Sequence, residues 1–135
     1  MSNLHIHHVC IQTSNYPESF DFYTQILLFE VVKINKNFHG RNYNTWLKNE
    51  DFFIELQTPK NRDNFQKWSA KNEGPVHLSF YTQNFDKELD RIMNINKTFF
   101  KIKGDHIVYN VHGTKFFKII APEGTEIEIR DTSNL

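Results

Sequence analysis

Phe53-Ile54-Glu55-Leu56 returns near the end of the chain as Glu126-Ile127-Glu128-Ile129. Both tetrads alternate apolar residues with a carboxylate, the pattern of a strand with one buried and one polar face. Upstream of each lies a second strand carrying a histidine: Leu4 to Gln12 with His8, and Val76 to Thr82 with His77. When His8 is aligned with His77 the chain reads as two copies, each with a histidine on its first strand and a glutamate on its last.

The rest of each copy fits the same order. Ser14-Asn15-Tyr16-Pro17-Glu18 is a helix start, with a capping residue and proline in the first turn. The helix is expected over about Pro17 to Leu28, with Phe20, Tyr23, Thr24 and Leu27 on one stripe and Phe22 and Ile26 beside it. Phe29 to Ile34 follows as a strand, then a turn at His39-Gly40-Arg41-Asn42. Strands at Asn44 to Lys48 and Asp51 to Gln57 are joined by Asn49-Glu50. From Thr58 to Gly74 the pattern lapses into a linker, with a helical turn or two around Phe65 to Ala70. In the second copy Asn84 caps a helix over Phe85 to Asn94, with Phe85, Leu89, Ile92 and Met93 on one face. Thr98 to Lys103 and His106 to Val111 read as strands, and Lys115 to Ile120 with Thr125 to Arg130 as a hairpin. The expected architecture is α+β: one domain over residues 1–135, with module one at about 4–57, a linker at 58–74 and module two at about 75–131.

Composition narrows the function. Sixteen basic residues balance sixteen acidic ones, which excludes the basic excess of a general nucleic-acid binder. No apolar run is long enough to span a bilayer and no signal peptide is read, so membrane partners are not expected. A lone cysteine, Cys10, rules out an intrachain disulfide and fits a reducing, cytoplasmic setting. The 13 phenylalanines supply large side chains for a core.

Strand alternation puts His8, Cys10 and Gln12 opposite Val9 and Ile11. It likewise puts His77, Ser79 and Tyr81 opposite Leu78 and Phe80. Glu55 shares a face with Phe53 and Gln57, and Glu128 with Glu126 and Arg130. Each histidine alone is more simply a packed or hydrogen-bonded residue. Jointly, two imidazoles and two carboxylates on mixed faces suit a divalent ion such as Zn²⁺, Ni²⁺, Co²⁺, Mn²⁺ or Fe²⁺. His7 rivals His8 but is expected on the Val9–Ile11 face. His5, His39, His106 and His112 read as surface or edge residues. Glu126 shares the face of Glu128, so one of the two reads as a ligand and the other as a solvated neighbour, and Arg130 reads as either an anchor for an anionic substrate or a surface charge. Tyr81 and Phe53 are equally pocket wall or core.

With these segments in view the chain resembles the vicinal oxygen chelate superfamily, to which glyoxalase I belongs. The matching pieces are His8-Val9, Tyr16-Pro17-Glu18-Ser19-Phe20-Asp21-Phe22-Tyr23, Phe53-Ile54-Glu55-Leu56, Gly74-Pro75-Val76-His77-Leu78-Ser79-Phe80, and Ala121-Pro122-Glu123-Gly124-Thr125-Glu126-Ile127-Glu128-Ile129. The resemblance implies two βαβββ modules forming a metal-binding cup, with His8, Glu55, His77 and Glu128 as ligands of one divalent metal ion, Ni, Co or Zn. It implies a lyase or isomerase of the glyoxalase I (lactoylglutathione lyase) type, promoting proton transfer through a metal-bound enediolate of a small α-oxo or thiol-adduct substrate. Glu128 would be the proton-accepting carboxylate, Glu55 its partner, and the protein a homodimer. Glu55 sets the chain apart from three-ligand branches such as the fosfomycin-resistance enzymes and extradiol dioxygenases. Three positions depart from glyoxalase I: Gln12 stands in place of an arginine that binds the glutathione carboxylate, Pro59 and Lys60 in place of an asparagine, and Ala121 in place of an aspartate. These departures count against glutathione as the thiol. They keep open a non-catalytic small-molecule or antibiotic-binding protein, and an epimerase or thiol transferase.

Overall fold

A computed structural model describes residues 2–135. The chain divides into two units, the first ending at Lys67 and the second spanning Trp68–Leu135.

In the first unit β1 (His8–Gln12) leads to α1 (Tyr16–Asp21), which continues as a π-helical turn over Phe22–Ile26. β2 (Glu30–Phe38), β3 (Arg41–Asn49) and β4 (Phe52–Gln57) complete a four-stranded mixed sheet in the order β1-β4-β3-β2. β1 runs parallel to β4 and the other neighbours are antiparallel. β1 is shorter than the Leu4 to Gln12 strand expected. Its partner β4 begins at Phe52, so the backbone ahead of His8 has nothing to pair with, and Leu4 and Ile6 stay exposed. The core is Leu47, Ile54 and Leu56 from the sheet, all wholly buried, with Phe22, Tyr23, Ile26 and Phe29.

The buried stripe of the helix is Ser19, Phe22, Tyr23 and Ile26, one residue out of step with expectation. Phe20, Thr24 and Leu27 are only half-buried. The widened turn, in which Leu27 N–H donates to the Phe22 carbonyl, brings Phe22 and Ile26 to the centre of the packed face. Left-handed Leu28 (φ 59°) then ends the helix.

The β2–β3 hairpin turns on two residues, His39 (φ 48°) and Gly40 (φ 77°), both left-handed as a type I′ turn requires. Arg41 and Asn42, expected in the turn, already belong to β3. The linker forms one 3₁₀ turn at Lys60–Arg62 rather than around Phe65 to Ala70. Asn61 N–H donates to the Gly40 carbonyl (2.8 Å) and Thr58 N–H to the Tyr43 carbonyl (3.1 Å), so the chain is held where it leaves the sheet.

In the second unit β5 (His77–Tyr81), α2 (Phe85–Ile95), β6 (Tyr109–Val111), β7 (Thr114–Ile120) and β8 (Glu126–Arg130) repeat the order. The sheet runs β5-β8-β7-β6, with β5 parallel to β8. Phe85 and Ile92 of α2 are buried, and Phe85 meets Phe117 edge-on at 5.3 Å. The strand expected at Thr98 to Lys103 does not form. Asn96 Oδ1 accepts from both the backbone N–H and the hydroxyl of Thr98, which curls Lys97–Phe99 into a 3₁₀ turn. Only isolated bridges follow, Phe100 to Ile119 and Lys103 to His106.

The two units repeat in detail. Thr13 N–H donates to the Gln57 carbonyl and Thr82 N–H to the Arg130 carbonyl, both at 2.9 Å. The threonine hydroxyls accept from Asn15 N–H and Asn84 N–H, both at 3.0 Å. Asn84, expected to cap its helix, makes no side-chain cap hydrogen bond, and neither does Asn15 at the start of α1; the threonines two residues earlier shape the start of each helix. The second unit also turns on a His-Gly pair, His112 (φ 50°) and Gly113 (φ 83°), between β6 and β7. Among the described residues no helix is long and apolar enough to cross a membrane.

Candidate metal centre

In the first unit His8 lies opposite Phe53, and Cys10 opposite Glu55, across the parallel β1–β4 ladder. In the second His77 lies opposite Glu126, and Ser79 opposite Glu128, across β5–β8. Histidine and glutamate therefore occupy the same two register positions in each unit, on the face turned away from the apolar core.

The second unit brings its pair together. His77 Nε2 stands 3.8 Å from Glu128 Oε2, with the glutamate side chain 13% exposed and the imidazole 35%. Ser79 Oγ donates to Glu128 Oε1 at 2.7 Å, which fixes the carboxylate and leaves Oε2 toward the imidazole. Two donors about 2.1 Å from one ion stand about 3.0–3.4 Å apart, so a small side-chain rotation would let both reach it.

In the first unit Cys10 Sγ donates to Glu55 Oε1 at 3.3 Å, in the role Ser79 plays for Glu128. Burial, reinforced by this hydrogen bond and the Glu55 charge, pushes the Cys10 thiol up to about 12, so it is a neutral donor. His8 shares a 2.8 Å hydrogen bond with His7 and meets the Trp46 ring edge-on at 4.9 Å. Trp46 is opposite Glu55 on β3 and walls the same face. His7 was expected on the opposite face. It precedes β1 and is free of strand alternation, and its ring stacks on Phe53 at 5.3 Å, beside His8. Among the described residues no three His, Cys, Asp or Glu side chains assemble as a ligand group.

Glu126 is not the solvated neighbour expected. It is buried at 3% exposure, ion-paired with Lys101, and lies 3.9 Å from Lys118 Nζ. Its carboxylate is already satisfied by cations, which leaves Glu128 as the open donor of β8. Tyr109 on β6 is close enough to feel Lys101, Glu126 and Glu128, and burial raises its phenol above the usual range. Lys101 and Lys118 were missed in the sequence. Lys118 could have been found by alternation on β7, whereas Lys101 lies on an irregular segment. Gln12 has a cation beside it after all: Arg41 Nη1 donates to Gln12 Oε1 (3.1 Å) and to the Thr58 carbonyl (2.6 Å).

The chain matches the family model "Glyoxalase/Bleomycin resistance protein/Dioxygenase superfamily" over residues 5–129. It belongs to that superfamily. Solved structures share the fold of this superfamily member at low identity. A glyoxalase family protein from Enterococcus faecalis superposes with a TM-score of 0.74 at 22% identity, over 97% of this chain and 100% of that one. Lactoylglutathione lyase from Agrobacterium tumefaciens gives 0.66 at 16%, over 94% and 92%. The fosfomycin resistance protein FosX from Listeria monocytogenes, solved with Mn(II) and sulfate, gives 0.67 at 12%, over 98% and 95%. No curated protein matches. The paired βαβββ modules, each a four-stranded mixed sheet, are the glyoxalase fold.

Proposed function

We propose that this superfamily member is a divalent-metal-dependent lyase or isomerase of the glyoxalase I type, with His8, Glu55, His77 and Glu128 holding the ion. The observation that carries the reading is the repeated register: each unit places a histidine at the start of its first strand and a glutamate two residues along the adjacent parallel strand. A fold-level likeness to FosX, solved with Mn(II), and to a lactoylglutathione lyase is consistent with it. The reading joins both units into one functional domain, in a homodimer, acting on a small α-oxo compound or its thiol adduct.

The donor set fits Ni²⁺, Co²⁺ or Zn²⁺, with nitrogen and oxygen donors and no thiolate. Such an ion would act as a Lewis acid on substrate oxygen. The chain's own groups divide the remaining work. Ser79 holds Glu128 Oε1, so Oε2 is the oxygen that would meet the ion and, once released from it, accept a proton. Glu55 is held in the same way by Cys10 and is the partner carboxylate. His77 and His8 would hold the cation, and Trp46 walls the face beside His8.

Turnover should be assayed with methylglyoxal plus glutathione, and plus other thiols, under added Ni²⁺, Co²⁺ or Zn²⁺. Product formation that falls at least about a hundredfold in Glu128→Gln supports the reading, since a general base contributes roughly that much. No turnover with any pair, beside tight small-molecule binding that needs no metal, would transfer the chain to the binding proteins of this fold.

A further inference from the structure

The polar face of the second unit carries more positive charge than its own carboxylates use. β7 and β8 place Lys118 directly opposite Glu128, and Phe116 opposite Arg130, so Lys118 and Arg130 are diagonal neighbours on one face. Lys101 joins them through its ion pair with Glu126. Glu126 is one carboxylate for two lysines, with Lys118 Nζ at the looser 3.9 Å and its side chain 18% exposed. The Arg130 Nε is buried and donates to nothing among the described residues. A buried donor left unmet on a charged group is costly, and an ordered water or a ligand oxygen is the remedy. Lys101, Lys118 and Arg130 outnumber Glu126 and Glu128 on this face even before Glu128 is committed to a metal, as the reading above takes it.

We infer that Lys118 and Arg130 form an oxyanion subsite beside Glu128, so that the substrate carries a carboxylate, phosphonate or phosphate group as well as the reacting carbon. Arg130 Nε supplies a fixed, directional donor and Lys118 a mobile point charge, held near the site by Glu126. Glu126 thus acts as a positioning residue. It draws Lys118 toward itself only weakly, because Lys101 takes the closer contact. The tyrosine at 109 lies in the same neighbourhood and offers a neutral hydroxyl.

Binding can be measured without turnover. Methylphosphonate and propionate, with neutral propionamide as control, are titrated into chelator-treated protein by calorimetry and by the Arg130 Nε–H resonance. The inference expects saturable binding of at least one anion, a shift of that resonance, and no response to propionamide. The two anions distinguish a tetrahedral from a planar group. Lys118→Met should weaken binding about tenfold, the usual worth of a charge-assisted hydrogen bond, and Lys118→Arg should restore most of it. Absence of binding by both anions, or binding that leaves the Arg130 resonance and the Lys118→Met affinity unchanged, would overturn it. Metal uptake, measured on the same samples, reports on the lyase reading separately.

Discussion

Single residues decide which carboxylates are available for chemistry. Ser79 and Cys10 each hold one oxygen of a candidate ligand, and Lys101 and Lys118 occupy Glu126. Strand alternation was enough to put His8, Glu55, His77 and Glu128 on mixed faces. It could not tell Glu126 from Glu128, because both lie on the same face of β8. That difference comes from Lys101, which reaches in from a segment without regular periodicity. Lys101→Met should destabilise the protein in urea by about 1–2 kcal/mol. This is less than the loss from breaking a fully buried pair, because Lys101 is partly exposed and Lys118 stays behind. Cys10 gives a pH prediction for the metal-free protein. A folded-state value raised to about 12 from 9.0 keeps the thiol protonated well above neutrality. Its reaction with a disulfide reagent at pH 8 should be slower than that of an unfolded thiol, by less than the fall in thiolate fraction because a high-pKa thiolate is the stronger nucleophile, and urea should abolish the difference. The same shift makes folded stability fall as pH rises past the unfolded value near 9, since only the unfolded chain then releases this proton.

At the scale of elements, the repeat was readable and its fine structure was not. Apolar alternation gave the strands that carry the site. The length of β1 depended on where β4 begins, and the stripe of α1 on a π turn, neither of which a local pattern encodes. The strand expected at Thr98 to Lys103 lost to the Asn96 side chain, a local competitor for backbone hydrogen bonds. A further sign of the repeat is legible in the residues themselves: both copies turn on His-Gly. The two turns give a paired prediction. Gly113→Ala meets open space and costs only the strain of a left-handed backbone, about 1 kcal/mol. Gly40→Ala has a similar φ, but its new methyl group would collide with the Asn61 side chain, so about 2–3 kcal/mol is expected. Thermal unfolding of the two variants checks the order.

For the whole molecule, the superfamily and its fold are established, and the lyase activity and the four-ligand centre are proposals resting on the repeated register. Of the four proposed ligands each unit supplies one imidazole and one carboxylate, too few for a tight, selective metal centre. The central claim is that both pairs serve one ion. Calorimetric titration of purified, chelator-treated protein with Ni²⁺, Co²⁺ or Zn²⁺ tests this most directly, repeated on Glu55→Gln from the first unit and His77→Ala from the second. The account predicts one ion per chain, with each substitution weakening binding by at least about a hundredfold. Failure to bind any of these ions, or uptake that survives Glu55→Gln and is lost only in His77→Ala, would contradict it.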